Sequence, residues 1–146
     1  MAKHVVTVLR FIGGRKPGVK GEYRLAGHPD WFYVGQLRCN HWAIPGVAGM
    51  GFSLKDIVNA AMNEFEFVTQ RGKGTDRLAQ ACANEEWFDK VVIESWDSFY
   101  HKKLVEKLTC IRVKVIVVRP LGTWTWSHGF KDWCVVSLRY TVVQPV

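Results

Sequence analysis

Residues 53–69 read SLKDIVNAAMNEFEFVT, and the reading of this stretch decides the fold class. Leu54, Ile57, Val58, Ala61, Phe65 and Val68 recur at the spacing that gathers apolar side chains on one stripe of an α-helix. Ser53 stands where an N-cap hydroxyl belongs, with Asp56 as a capping-box variant, and Phe52 and Ile57 suit a hydrophobic staple. The pattern predicts a helix over 53–69.

Two further helices follow from the same logic. Arg71-Gly72-Lys73-Gly74 breaks the first, and Thr75 can cap a second over 75–86, with Leu78, Ala81 and Cys82 facing in. Tyr100, Leu104 and Leu108 share a stripe of a third over 97–108, after a short buried strand at 90–94. The two ends of the chain read as β. Residues 4–12 (HVVTVLRFI), 23–25, 31–38 (WFYVGQLR), 110–119 (CIRVKVIVVR) and 133–143 (WCVVSLRYTVV) are β-branched or alternating, with a short strand at 123–126. Residues 43–52 read as a glycine-rich loop. The expectation is an α+β fold: an antiparallel or mixed sheet from the N- and C-terminal strands, with about three helices (53–69, 75–86, 97–108) on one face.

The 146 residues suit a single domain, 1–146, and 48% hydrophobic against 23% charged residues argues against wholesale disorder. No signal peptide and no long apolar run is evident, so no membrane span is expected. Cys39, Cys82, Cys110 and Cys134 are dispersed without a CxxC, which points to reduced thiols in the cytoplasm of a cell or of an infected host. The net charge of +7 is uneven. Its excess lies in the two β-rich ends, while 41–108 is mildly acidic.

Several groups of residues are candidates for chemistry. Arg10, Arg112, Lys114 and Arg139 fall on polar faces of predicted strands with Trp133 beside them, a platform of cations and an aromatic ring suited to phosphates and bases. Arg15, Lys16, Lys20 and Arg24 lie among the glycines of 13–24, where backbone N–H groups can approach a phosphate. Arg71, Lys73 and Thr75 open a helix, whose free N–H groups suit an anion. Over 66–96, RGKGTDRLA followed by a strand resembles the glycine turn and helix of the SLOG superfamily, which implies a Rossmann-like nucleotide binder. The chain lacks the Gly-Gly pair that precedes the turn there, and a helix-connecting loop accounts for the segment equally.

Trp124 and Trp126 fall on one side of any strand and suit either a core or a partner interface. The five histidines are scattered, no metal-ligand spacing recurs, and neither a cofactor nor a metal is expected. The leading expectation is therefore a small basic binding module, without catalysis, for a nucleic acid or nucleotide. The alternative is a structural or assembly subunit, such as one of a virus or phage particle, with self-association through a tryptophan-rich patch. A small hydrolase or nuclease comes third.

Overall fold

In residues 5–12 the alternate side chains Thr7, Leu9 and Phe11 are buried, and the run forms strand β1 (Val5–Ile12). The computed structural model describes residues 5–25, 28–39, 42–44, 63–97, 103–123 and 132–144, with 24, 25, 28, 39, 42–44, 122 and 123 described by their backbone. The elements that follow are β2 (Tyr23–Leu25), β3 (His28–Tyr33), β4 (Gln36–Cys39), β5 (Trp42–Ile44), β6 (Glu64–Gln70), α1 (Lys73–Ala83), β7 (Trp87–Asp97), β8 (Leu104–Thr123) and β9 (Asp132–Gln144).

All the strand pairs are antiparallel, in the order β2-β3-β1-β7-β8-β9-β6-β4-β5. This sheet closes on itself. β3 pairs with β1 and β4 pairs with β6, and only Val34 and Gly35 separate β3 from β4. At that bend Val34 N–H donates to Thr7 of β1 (2.9 Å) and Gly35 N–H to Val68 of β6 (2.8 Å). The bent β3–β4 segment is thus the wall between β1 and β6, and closure leaves no edge along that seam.

The barrel interior is filled. Leu9, Phe11, Phe32, Leu37, Phe65, Phe67, Ile93, Val113, Val136 and Leu138 form one buried cluster drawn from every wall. Phe11 meets Phe32 and Phe88 edge-on, and Phe32 meets Phe67 likewise. Helix α1 lies across the end at which β6 stops and β7 starts, and its Leu78 and Ala81 join the same cluster.

The structure departs from the sequence reading at four points. The fold is mostly antiparallel β, with one short helix among the described residues, and not α+β with three helices. Within 53–69, residues 64–70 form β6, while 53–62 lie outside the described residues. EFEFVTQ alternates with period two, so Phe65 and Phe67 turn inward and Glu64 and Glu66 outward; the local strand pattern wins over a helical stripe that needs the longer window. The 97–108 helix is replaced by the end of β7 and the start of β8, with 98–102 outside the described residues. The 75–86 helix exists as α1 but starts earlier, with Gly72 as N-cap and Thr75 at N3.

A further departure concerns faces. Phe88, Val113 and Tyr140 point inward on three adjacent strands, and so do Val91, Cys110 and Val143. Strict alternation cannot join the two rows, since an odd step separates them. The switch occurs at Asp89, Arg112 and Thr141, where two successive residues of each strand face outward, and Arg112 takes a positive φ of 53°. Ile111 therefore leaves the face it was expected to share with Val113 and Val115, and Val142 becomes 53% exposed.

Candidate assembly surface

With the interior occupied, the outer wall is where this molecule can meet anything else. In the two glycine-rich basic segments, several backbone N–H groups expected to meet a phosphate are bonded within the chain instead. At 13–24 the glycines serve close packing: a Cβ on Gly13 would lie 2.4 Å from the Asp89 carboxylate, and one on Gly14 2.6 Å from the Phe88 ring. Both take positive φ, which side-chain-bearing residues adopt at a cost. Glu86, 5% exposed, fastens this loop. Its carboxylate accepts the Arg15 N–H (2.6 Å) and both ends of the Arg77 guanidinium (2.7 and 2.8 Å), while Arg77 also donates to the Arg15 carbonyl (3.0 Å). The hydrogen bond from Arg77 is the main reason that the Glu86 carboxyl titrates below its ordinary value.

The N-terminus of α1 is likewise satisfied from within. Glu22 Oε1 accepts the Gly74 N–H at 2.7 Å, taking the place an external anion would occupy. Thr75 is 1% exposed, and its hydroxyl accepts the Gly72 N–H and donates to the Gly72 carbonyl (both 2.9 Å). Lys73 and Arg71 are exposed nearby, as are Arg15, Lys16 and Lys20 around the loop. The side chain of Arg24 is outside the described set. The antiparallel barrel also removes the Rossmann-like expectation carried by RGKGTDRLA.

The predicted sheet platform is split. Arg112, Lys114 and Arg139 do share the outer wall, Lys114 directly opposite Arg139 and opposite Trp87. Arg112 and Lys114 stack on the Trp87 ring at 5.2 and 5.7 Å from its centroid. Lys114 also pairs with Glu85 at 3.5 Å, and Arg139 with Glu64. Arg10 stands apart, in register with Val92 and Thr109, five residues along β8 from Lys114 or roughly 17 Å. Its guanidinium stacks on Trp31 (5.1 Å) beside an open concavity of about 360 Å³ shared with Glu94, Lys107 and Thr109. Trp133 is no platform at all: it is 2% exposed and packs with Val68 and Val135. Trp124 and Trp126 lie outside the described residues.

Sequence reasoning missed Trp87. It is 44% exposed at the start of β7, opposite Lys114 and under the Arg112 guanidinium, and Val117 (39%) and Val142 (53%) are further exposed apolar residues on β8 and β9. Its signal was present in Glu86-Trp87-Phe88, where alternation sends Phe88 in and Trp87 out, but the strand had been placed only at 90–94. Among the described residues no group of three His, Cys, Asp or Glu could hold a metal ion. Cys110 is buried, which pushes its thiol up to about 12. No helix of the described residues is long and apolar enough to cross a membrane.

These features define a class, a closed antiparallel barrel with an apolar interior and, among the described residues, one short capping helix. Solved structures offer parallels to this class. Hcp1 from Salmonella typhimurium superposes with a TM-score of 0.64 at 16% identity, over 98% of this chain and 84% of that one. A structure described as a type six secretion system protein gives 0.66 at 16%, over 96% and 82%. Secreted protein Hcp3 from Pseudomonas aeruginosa gives 0.61 at 15%, over 94% and 86%. By sequence, no family model and no curated protein matches. The likeness establishes an Hcp-like fold.

This finding overturns the leading expectation. A structural neighbour with this fold is described as a type six secretion system protein, and the binding-module reading with its nucleic-acid partner is withdrawn in favour of the assembly alternative. A simply cytoplasmic location is withdrawn as well, since a neighbour with this fold is described as secreted.

Proposed function

We propose that this chain is a structural subunit, acting as one domain over residues 1–146, that self-associates into rings stacked as a tube in a type VI-like secretion apparatus and leaves the cytoplasm with it. One observation carries the reading: the superposition on an Hcp structure spans 98% of the chain, and proteins of that kind form ring oligomers that stack into tubes. The buried apolar cluster inside the barrel agrees with a structural role. So does the outer wall, which presents an exposed tryptophan flanked by cations in place of a solvated polar face. Trp124 and Trp126 belong to the same reading as contact residues between copies.

Light scattering after size exclusion, with negative-stain microscopy of the main peak, tests it. The expected result is closed rings, with stacks at higher protein concentration. A folded species that stays monomeric at every concentration up to its solubility limit overturns the proposal.

A further inference from the structure

We infer that the Trp87–Arg112–Lys114 patch is the surface by which one copy of this chain grips the next, seated against the Asp76–Asp132 notch of that second copy. The inference rests on the self-assembly reading and assigns it a surface.

The five large hydrophobic residues exposed among the described residues, Trp87, Leu104, Val105, Val117 and Val142, all lie on β7, β8 or β9, and Trp87 is the one stacked with cations. Trp and Arg are the residue types that dominate interface energetics, and here they are stacked on one another. The backbone is shaped to present them. Arg112 holds a positive φ at the step where three strands change face, and that step turns Arg112 outward over Trp87. Arg112 has no ion pair among the described residues, whereas Lys114 and Arg139 have theirs.

The complement lies elsewhere on the same chain. Asp76 and Asp132 line an open notch of about 520 Å³ with Gln70, Arg71 and Gly72, where α1 begins and β9 starts. Neither aspartate has an ion pair among the described residues. Asp132 opens β9 and Thr141 lies opposite Arg112 near its other end, nine residues on or roughly 30 Å. Patch and notch therefore cannot meet within one copy. Contact between unlike surfaces passes from copy to copy and closes into a ring when the rotation allows. A chain of net charge +7 repels its own copies, and a cation set against two carboxylates offsets that repulsion where the copies touch.

Charge reversal tests this with the full chain. Arg112→Glu and Trp87→Glu are expected to weaken assembly by at least about tenfold in the concentration at half-assembly, with circular dichroism unchanged. Asp132→Lys alone is expected to do the same, and the double variant Arg112→Glu/Asp132→Lys to regain rings. Folded Trp87→Glu and Arg112→Glu proteins that form rings like the parent overturn the inference. Loss in both single reversals without recovery in the double variant overturns the pairing of patch with notch. A parent protein that never assembles instead overturns the self-assembly reading itself, so the two failures are distinguishable.

Discussion

Two basic regions of this molecule have similar composition and opposite character. Around α1, the Arg77 guanidinium and the Arg15 backbone N–H converge on Glu86, and Glu22 fills the helix N-terminus, so the loop and the helix start are held by partners from within the chain. On the β7–β8–β9 wall, Arg112 stacks on a half-exposed tryptophan and meets no carboxylate among the described residues. The difference shows that cations and glycines by themselves do not mark a binding site. What matters is whether the chain supplies their partners, and supply depends on the fold: Glu86 and Glu22 reach these groups only because β7 and the 13–22 loop come together at one end of the barrel.

The comparison can be broken most severely from its shared foundation. Phe67→Ala removes a fully buried ring from the interior that both regions rest on and is expected to cost about 3–5 kcal/mol, read by urea denaturation. Next, Glu86→Gln strips the α1 region of its hub and leaves the Arg77 guanidinium, only 18% exposed, without its counter-charge; the expected loss is about 3 kcal/mol. Because the folded-state pKa of Glu86 is lowered, its contribution is present at neutral pH and is lost as the pH falls through that lowered value. Stability curves of parent and Glu86→Gln should therefore converge in acid. If they ran parallel to the lowest pH at which the protein folds, Glu86 would not be the hub.

Smaller effects sharpen the contrast. Glu22→Gln weakens the bond to Gly74 N–H at the start of α1, for an expected cost of about 1 kcal/mol in thermal denaturation. Arg139→Ala removes a pair in which both side chains are more than half exposed, and is expected to change stability by less than about 0.5 kcal/mol. A large loss there would mean that the wall, like the loop, carries charge for internal structure.

Much of the β-structure was legible because local pattern and global fold agree. Val5–Ile12, 110–119 and 133–143 are β-branched, alternate, and lie within β1, β8 and β9. The middle misled for a physical reason. Phe65 and Val68 satisfy a helical stripe when read with Leu54 to Ala61, yet Phe65 and Phe67 also satisfy a strand, and β6 gains cross-strand partners on both β4 and β9 that no single-sequence window contains. The face change at Asp89, Arg112 and Thr141 had no local signal either. Arg112 is not a residue type that favours positive φ, so nothing in CIRVKV announces a break in alternation. The candidate surface suffered accordingly: Arg112, Lys114 and Arg139 were found by their alternation with apolar neighbours, Trp87 was overlooked, and Trp133 was assigned to the surface from a parity that ignored what packs over the outer wall.

The pairing of β1 with β7 has a consequence for how the chain is made. The hydroxyls of Thr7 and Ser95 meet at 3.1 Å across 88 residues of sequence. During synthesis β1 emerges long before the strand that covers one of its edges, and until β7 leaves the ribosome that edge offers unpaired amides to any neighbour. The barrel is therefore a late product of translation, and nascent chains crowded on one message run the risk of pairing with each other before each pairs with itself.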